Sequence, residues 1–546
     1  MDVTHAKRTA GRCGPLAVLL AVLPLGYWLY LQLHILGSSN AKAETLPEVR
    51  VSEFGAQTRP GSDSSELQAE KFTLPAALPL HHESLPASQV VWRPPDYQSL
   101  PVVPDEIWRA SRDIPTEAGY RLQAMLLRLA IGQTARIMVF GGSMTFGEGC
   151  CPKRNLTCLH KRTMCAWPSD FLHRLRQAFP SSEVEMELHA RGGCDAGCSL
   201  QEMAMTLTGD TKAASDWIIL DFGQNGWGTK STIEDFIRLI HLFLPTTLVT
   251  IIYNRDMKRD EQMKANPKWS KYTKALRKLL YRTAVHYGVP FLSYDRAMQD
   301  FARTETSAVE IMWPTINFNE RHHPSWSTHA LFADMLVSWC NNQLNLLARL
   351  PLADRSRLAK SQTSPELRAA PSLEMDDAWI PPLRPGLPLA SLEICIVPLT
   401  AHLARAPGPG SPNMSLYKEW SLYEDRPAKP GWITKVVTGE NLTFNVNFSS
   451  SPRLVVQYLR SYENIGTAEM SIDSFWAWTS SQFPNIRTET RRFPLRAWWE
   501  HRMSVTESLL FKPFAEGLAH AGSRSASVSF RLVEGSKFKV IAVISC

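Results

Sequence analysis

Val139-Phe140-Gly141-Gly142-Ser143-Met144-Thr145-Phe146-Gly147 is the stretch whose reading decides the fold. The apolar run from Ile137 to Phe140 stops at two glycines, a serine follows, and helix-compatible sequence comes soon after. That is the pattern of a buried parallel strand ending in a tight turn. Ligands of open α/β sheets bind just past the carboxyl ends of the strands. A serine there, beside glycines that let the backbone turn sharply, is placed to act as a nucleophile. Gly-Gly-Ser by itself is also ordinary turn chemistry, so the surrounding chain has to decide between the two.

Working outward, short apolar runs alternate with helical patterns. Arg136–Phe140, Val184–His189, Trp217–Phe222, Leu248–Tyr253 and Val289–Ser293 read as strands. Helical spacing marks Tyr120–Ile131, Ser169–Phe179, Ile233–Leu244, Trp269–Tyr287 and a closing helix at about Ser327–Leu347. The alternation predicts an α/β unit over 106–349, a flavodoxin-like three-layer α/β/α sandwich with a parallel sheet. Residues 350–389 are charged and rich in proline and read as a linker. From 390 to 546 the pattern becomes short, alternating and β-rich (Leu442–Phe448, Arg453–Leu459, Ala468–Ile472, Ser527–Leu532, Phe538–Ile544), which predicts a smaller all-β sandwich or jelly roll.

Three further stretches bear on Ser143. The strand Trp217–Phe222 ends in Gly223-Gln224-Asn225, and an asparagine there can aim its amide N–H at a developing oxyanion. After the second strand, Arg191-Gly192-Gly193-Cys194-Asp195-Ala196-Gly197-Cys198 offers glycines whose backbone N–H can reach the same point. A loop pinned by a disulfide explains those glycines nearly as well. Just before the closing helix comes Asn319-Glu320-Arg321-His322-His323-Pro324. Of the two histidines, His323 has an acid three residues earlier, Glu320, so one short loop can present a base and the carboxylate that orients it.

Ser, Gly, Asn and His thus recur in that order at successive strand ends, and over about residues 130–345 the chain resembles the SGNH (GDSL-like) hydrolases. The segment Phe140–Thr145 is similar to the family's serine block, Gly223-Gln224-Asn225 to its Gly-x-Asn-Asp, and Glu320–Pro324 to its Asp-x-x-His-Pro. The resemblance implies ester hydrolysis or acyl transfer with no metal and no cofactor. Ser143 is then the nucleophile, His323 the base and Glu320 its orienter. The Ser143 amide, a loop glycine (Gly193 by distance from the strand, Gly197 by the following Cys-Ser) and Asn225 would form the oxyanion hole. Gly142 and Gly226 stand where the family has supporting aspartates, and Glu320 stands where it has aspartate.

The N-terminus sets the compartment. A short cytoplasmic tail (1–15) with Lys7, Arg8 and Arg12 precedes an apolar segment (16–36) long enough to span a hydrocarbon core of about 30 Å. Positive flanks on that side predict a type II signal-anchor with the body in the lumen of the secretory pathway, in the Golgi by architecture, or outside. Ala41-Lys42-Ala43 leaves a cleaved signal as the second reading. Residues 37–105, polar and rich in Pro, Ser and Glu, read as a flexible stem. Ten cysteines agree with an oxidising compartment. Cys150, Cys151, Cys158, Cys165, Cys194 and Cys198 crowd the site region, and we expect disulfides tying the loop after the first strand to the loop after the second. No paired Cys-x-x-Cys knuckles occur at zinc spacing. Cys546 is expected to clasp Cys395, with Cys340 as the alternative partner. Asn155, Asn413, Asn441 and Asn447 lie in glycosylation sequons.

A net charge of +7 without a basic stripe makes nucleic acid an improbable partner. These features point to a membrane-anchored carbohydrate esterase or O-acyltransferase. A non-catalytic glycan-binding or adhesion protein on a degenerate hydrolase scaffold is the alternative. Trp420, Trp432, Trp476, Trp478, Trp498 and Trp499 are the candidate sugar-stacking residues.

Overall fold

The computed structural model describes residues 74–79, 102–150, 165–208, 215–223, 232–254, 267–304, 323–361, 400–404, 419–424, 430–448, 452–473, 478–480, 492–499, 504–513 and 525–546. Its α/β unit carries a six-stranded sheet of β1 (Arg112–Asp113), β2 (Ala135–Gly141), β3 (Val184–Ala190), β4 (Trp217–Asp221), β5 (Leu248–Tyr253) and β6 (Phe291–Ser293). The spatial order is β1-β6-β5-β4-β2-β3. Strands β2 to β6 pair in parallel, and β1 adds an antiparallel edge. Counted along the chain, the parallel strands run 2-1-3-4-5, the flavodoxin-like order.

The inner strands β2, β4 and β5 are apolar on both faces because both faces are covered. Successive side chains of a strand point to opposite sides. In β2, Ala135, Ile137 and Val139 therefore enter one core, and Met138 and Phe140 enter the other. Strand β4 divides in the same way, Trp217 and Ile219 against Ile218 and Leu220. The helices Thr116–Ala130, Trp167–Ala178 and Trp326–Arg349 close the first core, and Ala196–Thr208, Thr232–Phe243 and Pro267–Tyr287 close the second. Trp217 fixes the position of the closing helix: it meets Phe171 and Trp339 edge to face, at 5.6 and 5.5 Å between centroids. Such pairs add about 0.5–1.5 kcal/mol each beyond the area they bury.

Two segments read as spacers are docked on this unit instead. Within the expected stem, Leu78 is fully buried, its N–H donates to Asn341 Oδ1 at 2.6 Å, and Asn341 Nδ2 donates back to its carbonyl at 3.1 Å. Within the expected linker, Leu352–Ser361 is a helix that packs against Thr116–Ala130, with Leu358 set against the core. Its charged residues hid that one apolar contact.

The C-terminal domain is a sandwich of two antiparallel sheets. Its strands are β7 (Thr400–Leu403), β8 (Ser421–Glu424), β9 (Pro430–Thr434), β10 (Leu442–Asn447), β11 (Leu454–Arg460), β12 (Thr467–Asp473), β13 (Trp478–Ser480), β14 (Arg492–Arg496), β15 (Val505–Pro513), β16 (Ser525–Glu534) and β17 (Phe538–Ser545). One sheet has the order β10-β16-β12-β14, the other β13-β15-β11-β17-β9-β8 with β7 also on β17. Period-two burial builds the core: β16 turns Ala526, Val528, Phe530 and Leu532 inward and leaves Ser527, Ser529 and Arg531 between them. Trp420 and Trp432, candidates for sugar stacking, are 3% and 6% exposed in this core, so they pack rather than stack on a ligand.

The cysteines pair differently from expectation. Cys150 joins Cys165 and Cys194 joins Cys198, so each bridge closes its own loop and neither of these ties the two loops together. Cys546 is disulfide-bonded, and Cys340 is a free, buried thiol in the closing helix, which removes it as a partner. Cys151, Cys158 and Cys395 lie outside the described residues, as do the segment 16–36, Asn155 and Asn413. Asn441 and Asn447 are exposed. Among the described residues no helix is long and apolar enough to cross a membrane.

Candidate active site

The first strand of the parallel set delivers the serine. Strand β2 ends at Gly141, Gly142 is extended, and Ser143 opens a single helical turn, Ser143–Phe146. Because the chain order reverses between β3 and β4 on either side of β2, this turn sits at the topological switch, where the sheet leaves a crevice. Ser143 is 7% exposed.

The histidine arrives from the far end of the unit. His323 lies three residues ahead of the closing helix Trp326–Arg349. Its Nε2 is 2.9 Å from Ser143 Oγ, within hydrogen-bond range across 180 residues of sequence. The fit depends on Gly149. That residue has φ +87°, and a Cβ there would lie 2.5 Å from His323 Cβ. Only glycine takes that backbone readily and leaves room for the histidine loop.

Beneath the serine turn lies a buried carboxylate that the sequence reading passed over. Asp221, the last residue of β4, is 4% exposed and accepts hydrogen bonds from Thr145 Oγ1 at 2.8 Å and Trp167 Nε1 at 3.0 Å. It thereby ties the Ser143–Phe146 turn to the head of the helix Trp167–Ala178. Burial pushes its carboxyl up to about 6, against the pull of those two donors. An acid closing a wholly apolar strand was the available signal, since such a group is buried only when hydrogen-bonded. His329 is also fully buried, its Nδ1 accepting the Trp167 N–H at 3.3 Å. Burial lowers this imidazole to about 3, with His323 adding to the effect, so a neutral ring backs the His323 loop.

The loop after β3 is held from outside the α/β unit. Gly193 has φ +74°, and its carbonyl accepts the Thr506 N–H of β15 at 2.7 Å. A Cβ on Gly193 would come within 2.6 Å of the Ser504 carbonyl oxygen. The Cys198 carbonyl accepts Gln457 Nε2 of β11 at 3.3 Å. Asp195 heads the helix Ala196–Thr208 and accepts the Cys198 N–H at 3.0 Å, with the Gly197 N–H also bonded to it. Burial raises the Asp195 carboxyl to about 7, the Glu507 carboxylate of β15 adding to the rise. Of the two glycines weighed for the oxyanion hole, Gly197 thus has its N–H turned to Asp195, while Gly193 occupies the bend under the β domain.

Ser143 and His323 are the predicted site residues that the structure brings into contact. Glu320, Asn225 and His322 lie outside the described residues. A second acid has joined the pair: Glu148 Oε2 is 3.3 Å from His323 Nε2. No cluster of His, Cys, Asp and Glu among the described residues is arranged to hold a metal ion.

No protein-family model and no curated protein matches this chain. Solved structures do resemble it. A two-domain esterase active on acetylated mannans, co-crystallised with mannopentaose, is similar over 80% of this chain and 97% of its own, at 15% identity and a TM-score of 0.46. An acetyl xylan esterase from Geobacillus stearothermophilus covers 38% of this chain and 94% of its own, at 12% identity and a TM-score of 0.27. A lipolytic protein of the G-D-S-L family from Veillonella parvula covers 40% and 100%, at 15% identity and a TM-score of 0.27. The parallel-strand order, the serine on the turn after the first parallel strand and the histidine ahead of the closing helix give this chain an SGNH hydrolase-like fold.

Proposed function

We propose that the protein is a serine esterase or O-acyltransferase acting on acyl esters of glycans, anchored in a secretory-pathway membrane with its body in the lumen. The observation that carries the chemistry is the 2.9 Å approach of Ser143 Oγ to His323 Nε2. A neutral imidazole at that distance takes the Oγ proton as the oxygen attacks an ester carbonyl. It then returns the proton to the leaving alcohol, and water or an acceptor hydroxyl releases the acyl group in a second cycle. Glu320 holds the other ring nitrogen in this reading, and Asn225 with the Ser143 and Gly193 amides receives the oxyanion.

Glycan binding is assigned to the face where the β domain meets the second loop. Trp498 is 59% exposed there and is bridged to Ser461. Ser461 Oγ is 2.8 Å from Ser504 Oγ, and the Ser504 carbonyl faces Gly193. A sugar ring stacked on Trp498 would extend toward the α/β unit.

A fluorophosphonate probe on the purified full-length protein tests the chemistry. Covalent labelling that disappears in Ser143→Ala is the expected result. A chain that never labels, yet binds glycans, would be the non-catalytic alternative. For the compartment, protease added to intact microsomes should remove no more than the N-terminal tail; full digestion would place the body in the cytosol.

A further inference from the structure

Glu148 is a second acid at the reacting atoms, and the roles above leave it unassigned. It follows the nucleophile turn directly, its N–H donating to the Ser143 carbonyl at 2.9 Å. Its Oε2 stands 3.3 Å from His323 Nε2, the same nitrogen that faces Ser143 Oγ. An acid that orients a catalytic histidine binds the opposite ring nitrogen, so Glu148 has a different task. Both side chains keep part of their surface open, 19% for Glu148 and 23% for His323, and one bound molecule can touch both.

We propose that Glu148 is a specificity-determining residue whose carboxylate accepts a hydrogen bond from the hydroxyl adjacent to the ester oxygen. The enzyme would thereby select esters of vicinal diols, the unit that a partly acylated sugar ring presents. This rests on the esterase reading above and narrows it. When the tetrahedral intermediate collapses, the bond from the carbonyl carbon to the sugar oxygen breaks. The proton that Ser143 gave to Nε2 then passes to that oxygen. The leaving oxygen must therefore sit within hydrogen-bond reach of Nε2, at about 3 Å, and Glu148 Oε2 lies at a similar radius from the same nitrogen. Oxygens on adjacent carbons are separated by about one hydrogen-bond length, so a diol can place one on Nε2 and its neighbour on Glu148.

An ionised carboxylate only accepts and a hydroxyl donates, so the match is one of charge-assisted donor to acceptor. Glu148 exchanges no proton and forms no covalent bond at any stage. An ester lacking the neighbouring hydroxyl cannot make that charge-assisted bond and forgoes its contribution to transition-state binding. A carboxylate that merely steadied the imidazolium would treat all esters alike.

The test compares trans-2-hydroxycyclohexyl acetate with cyclohexyl acetate on the full-length protein. We expect kcat/KM to favour the hydroxy ester by about 10- to 100-fold, the range for one hydrogen bond to a charged group. Glu148→Gln should cut that preference about tenfold or more, and Glu148→Met, similar in size with no strong acceptor, should erase it. Either variant suffices if the other fails to fold. A wild-type enzyme without the preference, or variants that lose rate on both esters with the ratio intact, would overturn the assignment while leaving the esterase standing. No turnover of either ester by the wild type would remove the esterase reading itself, and this proposal with it.

Discussion

The two loops that bracket the candidate site are held by opposite means. The Ser143–Phe146 turn is fixed from within its own unit: Asp221 at the end of β4 grips Thr145 and Trp167, and Gly149 leaves room for His323 beside it. The loop Arg191–Cys198 is fixed from outside, by Thr506 and Gln457 of the β domain, with the Cys194–Cys198 bridge closing it locally. One loop is part of the sheet's own architecture; the other is finished by a neighbour. Among the described residues, the side-chain ties of the Ser143 turn come from the α/β unit, whereas the loop after β3 also takes hydrogen bonds from the β domain.

The largest effect should come from breaking the contact at the centre of the first loop. His323→Ala is expected to lower turnover of an activated acetyl ester by about 10⁴ or more, with His322→Ala mild by the same assay. Equal losses would show that the wrong imidazole has been assigned. Next comes Gly149→Ala. The added methyl must push His323 away, and a displacement of about 1 Å near the chemistry costs roughly 10² in rate. A crystal structure of the variant should show the Ser143–His323 distance lengthened; an unchanged rate would mean the histidine loop has room to adapt.

Asp221 sharpens the comparison through pH. Its carboxyl titrates at about 6 in the fold against 3.8 in the unfolded chain. A raised folded value gives stability that is complete below about 4 and lost as pH rises through about 6. Relative to Asp221→Asn, the wild type should therefore lose stability across that window, by about 3 kcal/mol for a shift of this size. Denaturant melts of both proteins at pH 4 and pH 7 check this, and parallel curves would show that Asp221 has the same charge in both states. The smallest effect belongs to the second loop. Gly193→Ala places a methyl against Ser504 and strains a positive φ, costing about 1–2 kcal/mol and lowering turnover about tenfold. Loss of stability with full turnover would leave the clamp as packing and remove Gly193 from the oxyanion hole.

The sheet was legible because β2, β4, β5 and β6 are apolar runs bounded by turns and buried on both sides, while the edge strand β3 alternates Val184, Met186 and Leu188 with Glu185, Glu187 and His189. The pairing of Ser143 with His323 was legible from their types and order at the ends of elements, and the structure sets the two side chains 2.9 Å apart. What escaped notice depended on distant partners. The helix Ala196–Thr208 starts inside Gly-Cys-Ser sequence that reads as loop, and it forms on Asp195 as its head. Glu148 looks like any turn acid until His323 arrives from 175 residues away. Leu78 and Leu358 are single apolar residues in polar surroundings, too few to make a pattern. In the β domain, β14 alternates over only five residues and carries Pro494 on its exposed face, and β9 begins at Pro430 and is buried at four successive positions, so neither stands out as β16 does.

The clamp on Gly193 also sets a schedule for the protein's synthesis. Ser143 can meet His323 once the closing helix has been made, but the Thr506 N–H that bonds the Gly193 carbonyl is encoded about 300 residues after Gly193. At translation rates of roughly 5–20 residues per second that is an interval of about 15–60 s. Over about the second half of it, once the closing helix Trp326–Arg349 has been made, the nascent chain can hold a folded α/β unit with the loop after β3 unfinished. A chain stopped short of β15 would lack the Thr506 N–H on the Gly193 carbonyl, so the loop after β3 gains its last support only as the final strands emerge.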